Sequence, residues 1–554
     1  MKKTLFSIRT ILFGVLVAAL SQSCTKLDEE LFSEVTPDNF FKTEEEFISA
    51  LGSAYTQFGG WGAGDLQNLQ EFTTDEMAAP TRGQDWDDGG QWRRLHLHAW
   101  TKEDGVMSGA WNFGFGGVNT ANRLIFQFQS LVTSGQVKQE VADAYVAELQ
   151  AVRGFFYWQL IDVYGNVPLV TDFANAEATP ATKTRLEVYN WLITDLEAAV
   201  PKLSKAVDGT TYGRMNYYAG QALLAKLYLN AKIYSGTAQY DKAIAACDAI
   251  INSGKYNLES NFFKNFNTDN SGSKEFIFAI PYDKVFFQGF NLHMQSLSYL
   301  SQQTYNLTAQ PWNGFCSLEE FYNSFEDKDV RKGEPGTLTS PALKRGTFIA
   351  GYQYSSNGAI LSDDGADLTD PDGKQLNFGS IGTGKPQINE LGPQAWRQAG
   401  VRIGKWEIAV GGTDNLSNDY AVFRLGDVLL MKAEALWRKS GSATDAAALA
   451  LVNQIRARAG VANLTTLDGK LSFDLSGAVV PGGELFNEMG REMAFEKNKR
   501  QAMIRWGVFT DVTKWMLPAK NVGDIWKTDA YLTLFPVHKD KLAANPNLKQ
   551  NPGY

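Results

Sequence analysis

Residues 81–92 read TRGQDWDDGGQW, placing two tryptophans, three aspartates and three glycines in one short run. Glycine at this density disfavours a helix interior, and rings this large and rigid are poor filler for a flexible linker. A pyranose has an apolar face of C–H bonds and an edge of hydroxyls. An indole stacks on the face, while Asp, Asn, Arg or His bonds the edge. Trp86, between Asp85 and Asp87, supplies both kinds of surface from one loop. The run QPWNGF offers similar chemistry, with Trp312 beside Asn313 and Gly314. Trp86 is the expected main ring, and Trp61, Trp92, Trp111 and Phe287 are secondary candidates. The alternative is that these rings plug a loop-rich lobe onto its scaffold, since tryptophan is usually largely buried.

The same carboxylates raise the question of hydrolysis. In an extended segment Asp85 and Asp87 lie on one side, roughly 7 Å apart. That separation nominally suits an inverting glycosidase. An inverting pair must approach the scissile bond from opposite faces, which two side chains on one side of a strand do not do. The reading is therefore binding without catalysis. RLHLHAW, residues 94–100, alternates and puts His96, His98 and Trp100 on one side of a predicted strand. Tetrahedral zinc needs three or four ligands and no third accompanies them, so a polar face near the aromatic loop is expected, with no metal and no cofactor. DDGADLTDPDG, residues 363–373, lacks the spacing of an EF-hand loop and reads as a solvated turn. Arg491, Glu492, Glu496 and Arg500 fall within helical reach of one another and read as structural ion pairs.

The chain has 554 residues and a formal net charge of −9. It has no Lys/Arg cluster, which argues against nucleic acid as a partner. Its length predicts two lobes or an extended helical array. Lys2, Lys3 and Arg9 precede an apolar run, Ile11 to Leu20, that is too short to span a bilayer. Ser21-Gln22-Ser23-Cys24 follows. Residues 1–23 read as a secretion signal. A cysteine directly after such a core predicts a bacterial lipoprotein acylated at Cys24, with the lipid as its only membrane anchor. Ser21 stands where a lipobox prefers Leu, and ordinary cleavage near Ser23 is the alternative. The remaining Cys247 and Cys316 make no disulfide framework. Cys247 lies on an apolar helical stripe and reads as a small buried hydrophobe.

The elements that must position the aromatic loops are mostly helical. Thr43 and Glu46 form a capping box, followed by Phe47, Ala50, Leu51 and Ala54 on one face. Residues 59–118 break the pattern. Tyr145, Leu149, Val152, Phe156, Leu160 and Val163 restore it as a single stripe ended by Gly165 and Pro168. Two helical hairpins follow. In one, Leu223, Leu227, Ala231 and Tyr234 turn at Ser235-Gly236 into Ile244, Cys247 and Ile251. In the other, Leu429, Ala433 and Leu436 turn at Ser440-Gly441 into Ala448, Val452 and Ile455. Such pairs build tetratricopeptide-type arrays, although no fixed period is visible. Residues 257–420, rich in Gly, Asn, Ser and aromatics, read as loops and short strands laid over the scaffold, where function tends to sit.

Five segments carry a resemblance: AVRGFFYWQLIDVYGNVPLVT (151–171), FRLGDVLLMKAEALWRKSG (423–441), VNQIRARAGV (452–461), REMAFEKNKRQAMIRWG (491–507) and LFPVHKDKLAANPNLKQNPGY (534–554). Together they resemble the SusD/RagB family of Bacteroidetes outer-membrane lipoproteins, in family order and across the mature chain. Lys497 stands where the family usually has Gly, and His538 where it often has Pro. The resemblance implies a mostly α fold, with four tetratricopeptide-like helix pairs supporting an irregular lobe with short strands. It implies a signal peptide at 1–23, an N-terminal SusD-like region at 24–256 and a RagB/SusD-type region at 257–554. It further implies an outer-membrane, cell-surface protein that captures oligosaccharides and delivers them to a SusC-like TonB-dependent transporter. Trp86 and Trp312 match the family's ring positions, with Arg82 and Asp85 as polar neighbours. A peptide-binding, RagB-like role is the first alternative and a glycoside hydrolase the second.

Overall fold

The computed structural model describes residues 44–511 and 529–554, apart from 84, 334–344, 365–373, 379–394 and 475–476. Cys24, Thr43 and most of the 363–373 loop lie outside the described residues. The chain divides into Met1–Ile48, of which only the start of helix α1 (Glu44–Tyr55) is described, and Ser49–Tyr554, which holds everything below.

A scaffold of helical hairpins fills the second unit. Helices α4 (Gly105–Thr133) and α5 (Gln139–Val163) pack along each other, and α6 (Arg185–Ala199) packs on α5. They come after two short helices, α2 (Asp65–Glu71) and α3 (Gln91–His96). Next, α7 (Tyr217–Leu229) pairs with α8 (Tyr240–Ile251), and α8 packs on α9 (Leu425–Ser440). Helix α9 in turn packs on α10 (Ala446–Arg458) and α11 (Gly483–Met493), with α12 (Lys499–Arg505) following. The hairpin turns close as the sequence suggests, with left-handed glycines at Gly236 (φ 82°) and Gly441 (φ 65°) ending helices. The expected helix through Tyr234 is interrupted at Asn230, where α7 gives way to a separate turn, Ala231–Ser235.

One expectation fails. The irregular stretch was to run to residue 118, yet α4 already begins at Gly105. Its glycines serve close packing. A Cβ on Gly117 would lie 2.1 Å from the Phe156 ring, and one on Gly114 would lie 2.5 Å from Leu160. Both neighbours belong to α5, so the helices meet at distances only glycine permits.

The 257–420 stretch is short-stranded, as expected. Strand β2 (Phe276–Ile280) pairs antiparallel with β4 (Tyr420–Arg424), with Tyr420 opposite Ile280 and Arg424 opposite Phe276. Strand β1 (Met77–Ala78) pairs with β3 (Cys316–Ser317). Among the described residues every ladder is two-stranded. Aromatic packing joins the β2–β4 pair to α5. Phe58 lies 5.0 Å from Phe155 and 5.2 Å from Phe278, and Trp158 lies 6.0 Å from Phe423, ring centre to ring centre.

The expected ion-pair residues are structural, but none of the four pairs with another: α11 ends at Met493, and each finds its partner outside the set. Glu492 receives Arg424 at 2.5 Å, Arg331 at 3.1 Å and Arg458. Glu496 pairs with Arg424 and Lys405, Arg491 with Glu488, and Arg500 with Asp162. Glu492, Glu488, Arg424 and Arg331 are fully buried. Burial pushes the Glu488 carboxyl up, but Arg331, Arg491 and Arg456 outweigh it and hold the group at about 2.

Candidate functional site

The 81–92 loop is a tight knot of left-handed backbone. Arg82 and Asp85 exchange both main-chain hydrogen bonds at 3.2 Å, closing a turn that throws Trp86 outward. Positive φ occurs at Gly83 (67°), Gly89 (64°) and Gly90 (80°), where it costs little. It also occurs at Trp86 (57°), where a bulky residue costs about 1–3 kcal/mol and persists only when its surroundings fix it. The surroundings do. The Trp86 Nε1–H donates to the Trp312 carbonyl at 2.7 Å. The indole lies against Gly314, where a Cβ would come within 2.3 Å of it. Phe315 and Trp92 flank the ring at 5.0 and 6.1 Å. Trp92 is buried and donates to Asp88 at 2.5 Å. Asp87 pairs with Arg93 at 3.1 Å.

The second platform segment hangs on the chain around residue 295. The amides of Trp312, Asn313 and Gly314 donate to the carbonyls of Met294, Leu297 and Gln295 at 2.7–2.8 Å. This backbone pairing leaves the Trp312 ring 39% exposed, whereas Trp86 is half-buried.

Two expected polar ligands are not at the surface. Arg82 is 2% exposed because its guanidinium is spent on the carbonyls of Asn313 (2.8 Å), Gly314 (2.6 Å) and Ala399 (2.8 Å), with Cys316 Sγ at 3.4 Å. Asn313 is 1% exposed and left-handed (φ 54°); its amide accepts from Arg402 at 2.9 Å and donates to the Arg397 carbonyl at 3.1 Å. Both residues clamp loops together beneath the rings. Phe287 also lies elsewhere. It stacks on Tyr282 (5.7 Å) and lines an apolar cavity of about 310 Å³ with Tyr55, Phe58, Phe278 and Pro281. None of these residues touches Trp86 or Trp312.

Two residues that sequence reading missed do join the platform. Tyr299 donates its hydroxyl to the Asp85 carboxylate, and burial followed by that bond pushes the phenol up to about 12. Arg397 lies 5.2 Å over the Tyr299 ring and pairs with Asp363 at 3.0 Å. The site thus gathers Trp312, Trp86, Tyr299, Asp85 and Arg397, half-buried or exposed, over a floor of Arg82, Asn313 and Arg402. Tyr299 sits in SLSYL, which carries no polar or glycine signal, and nothing local marks Arg397.

The predicted strand at 94–100 is instead α3 and the turn after it. His96 and His98 are 2% and 1% exposed, bonded to the carbonyls of Phe72 (3.2 Å) and Thr73 (3.0 Å). Burial lowers them to about 4 and about 3, so both are neutral near pH 7 and neither forms a polar surface. Among the described residues, no group of three or more His, Cys, Asp or Glu is placed to hold a metal.

Set beside known proteins, the chain matches a family model described as the SusD family over residues 274–554, and one described as starch-binding associating with outer membrane over residues 26–229. The starch-binding protein SusD of Bacteroides thetaiotaomicron is 24% identical over 430 residues, 74% of this chain and 72% of that protein. SusD-like protein P2 of Formosa agariphila is 24% identical over 568 residues, 98% of this chain and 99% of that protein. Among solved structures, surface glycan-binding protein A from Bacteroides thetaiotaomicron in complex with laminarihexaose superposes with a TM-score of 0.68 at 18% identity, covering 92% of this chain and 99% of that one. A laminarin-binding SusD-like protein gives 0.67 at 19%, covering 93% and 100%. These structures share the helical-hairpin fold with its loop-rich layer, and with the first family model spanning just over half of the residues, the chain belongs to the SusD family.

Proposed function

We propose that the protein is a cell-surface glycan-binding lipoprotein, held in the outer membrane by acylated Cys24, that captures oligosaccharides and passes them to a SusC-like TonB-dependent transporter. The observation that carries the binding role is Trp312: a large ring left 39% exposed beside Trp86, Tyr299 and Asp85 on loops fixed by buried hydrogen bonds. An exposed ring that continues into further half-buried rings and a carboxylate forms a patch of the kind that marks ligand-binding surfaces. The rigid backbone around it lowers the ordering cost of binding. Trp312 is the main stacking surface. Trp86 presents less ring, because one side rests on Gly314, and it supports its neighbour. The named ligands of relatives, starch in one and laminarihexaose in another, favour a saccharide over a peptide. The protein carries out no covalent step. Asp85 and Asp87 are engaged by different partners, Tyr299 and Arg93, and neither is placed as an acid opposite a base.

Titration of the purified protein with a panel of oligosaccharides by calorimetry tests this reading. Binding to at least one glycan that is abolished in Trp312→Ala/Trp86→Ala, with circular dichroism unchanged, is expected; a double variant that binds like the parent places the site elsewhere. For the anchor, Cys24→Ala should leave the membrane fraction in cells lacking the transporter, and retention there would refute lipidation.

A further inference from the structure

The sugar contacts proposed above make no use of the charge beneath them. Arg82 and Arg402 are 2% and 0% exposed. Every hydrogen-bond acceptor that they meet is neutral: backbone carbonyls and Cys316 for Arg82, and the Asn313 amide oxygen and the Arg397 carbonyl (3.1 Å) for Arg402. Among the described residues, the Nε of each and Nη1 of Arg402 have no hydrogen-bond partner. Arg402 instead lies 4.8 Å over the Phe378 ring. Carbonyl and ring contacts offset part of the desolvation cost of a guanidinium, yet they leave its charge uncancelled. Burial, with repulsion from Arg82 after it, lowers Arg402 well below the usual guanidinium range.

The carboxylates nearby do not restore balance. Asp87 is paired with Arg93 and Asp363 with Arg397. Asp85, bound to Tyr299, offsets one positive charge of the two, and Asp88 is exposed, where water and salt screen it. Buried charges are screened far less. Among the described residues the floor of the platform is therefore positive, although the chain as a whole carries −9. The geometry puts this charge where a ligand would feel it. Arg82 grips the carbonyl of Gly314, the residue on which the Trp86 ring rests, and of Asn313, next to Trp312. Arg397, partly exposed at the rim, offers a guanidinium for direct contact.

We propose that the platform prefers saccharides bearing an anionic substituent, a uronate carboxylate or a sulfate ester, over neutral saccharides of the same length. The proposal rests on the sugar-platform reading. Bland bracing by Arg82 and Arg402 explains their carbonyl bonds, but a neutral amide would serve that purpose without leaving two cations side by side.

The test is a glycan array with neutral, uronate-bearing and sulfated members, followed by calorimetry on the strongest binder of each class. Anionic glycans should bind at least about tenfold more tightly than neutral ones in about 50 mM salt. A preference confined to the uronates or to the sulfates identifies the group that is read. Arg402→Gln should narrow the anionic-to-neutral ratio by at least about threefold, whereas Arg402→Lys, which keeps the charge and loses the fork, should preserve it even if both affinities drop. If Arg402→Gln does not fold, the anionic-to-neutral affinity ratio of the parent decides. Neutral glycans binding as well as anionic ones overturn the charge proposal and leave the platform standing. An array with no binder of any class overturns both.

Discussion

At the scale of single residues, the two platform tryptophans have unequal work. Stacking a ring on a ligand face is worth about 1–3 kcal/mol in the analogous nucleobase case, and a sugar face, being less polarisable, belongs in the lower half. Trp312→Ala should weaken binding by roughly tenfold. Trp86→Phe keeps a ring on Gly314 but loses the bond to the Trp312 carbonyl, so a smaller loss of about two- to fivefold is expected by calorimetry. A second residue-scale prediction concerns Asp65, whose burial raises its carboxyl to about 6, above the ordinary 3.8. At pH 7.5 the group is ionised in both states and the folded one bears the burial cost. As pH falls through 6 the folded carboxyl is protonated first, and the cost disappears. Asp65→Asn should therefore stabilise the protein by about 1–2 kcal/mol at pH 7.5, a gain that fades by about pH 4 in urea titrations. The ring positions were legible because indoles stand among glycines and carboxylates in QDWDDGG and QPWNGF. Exposure was not legible. Nothing in TRGQ says that Arg82 turns inward to three carbonyls, and nothing in SLSYL says that Tyr299 reaches Asp85.

At the scale of elements, the α4–α5 contact makes two glycine substitutions diverge. Gly117→Ala would drive a methyl group into the Phe156 ring, and overpacking of this kind costs about 1–3 kcal/mol or more. Gly52, in α1, has open space around its would-be Cβ, so Gly52→Ala should stabilise by about 0.5–1 kcal/mol through helix propensity and a less flexible unfolded chain. Thermal melts showing both substitutions moving the midpoint in the same direction would contradict this account of the helix contact. The hairpins of α7–α8 and α9–α10 could be read in advance because their apolar residues keep the 3.6 period and their turns end on glycine. Helix α4 was missed for the converse reason: glycines placed for a close neighbour look, in one dimension, like glycines placed for a loop. The alternation in RLHLHAW misled similarly, since a short helix and turn can bury the same His, Leu and Trp residues that a strand would align.

At the scale of the whole molecule, fold stability depends on an ionic core that ties distant segments together. Glu275, Arg331, Arg424, Arg458 and Glu492 come from five parts of the sequence and meet with side chains only 0–4% exposed. Glu492→Gln leaves three guanidiniums short of one negative charge, and breaking a buried network from one side costs about 3–5 kcal/mol. Chemical denaturation should show that loss, and a change below about 1 kcal/mol would mean that Glu275, Glu488 and Glu496 already satisfy the cations. Sequence spacing pointed to Arg491, Glu492, Glu496 and Arg500 as pairing residues but to none of their partners, because long-range pairing leaves no periodic trace. The family resemblance did reach beyond local pairing, since its segments are distributed from residue 151 to 554.

The exposed indole of Trp312 also makes the protein its own optical sensor. Of the chain's 14 tryptophans, Trp312 is the one among the described residues that stands out as exposed. Its emission should lie at the red edge of the spectrum and be quenched by acrylamide ahead of the other described tryptophans. A ligand laid across the ring would shift that edge toward the blue and slow the quenching, so that occupancy of the platform can be followed in unlabelled protein.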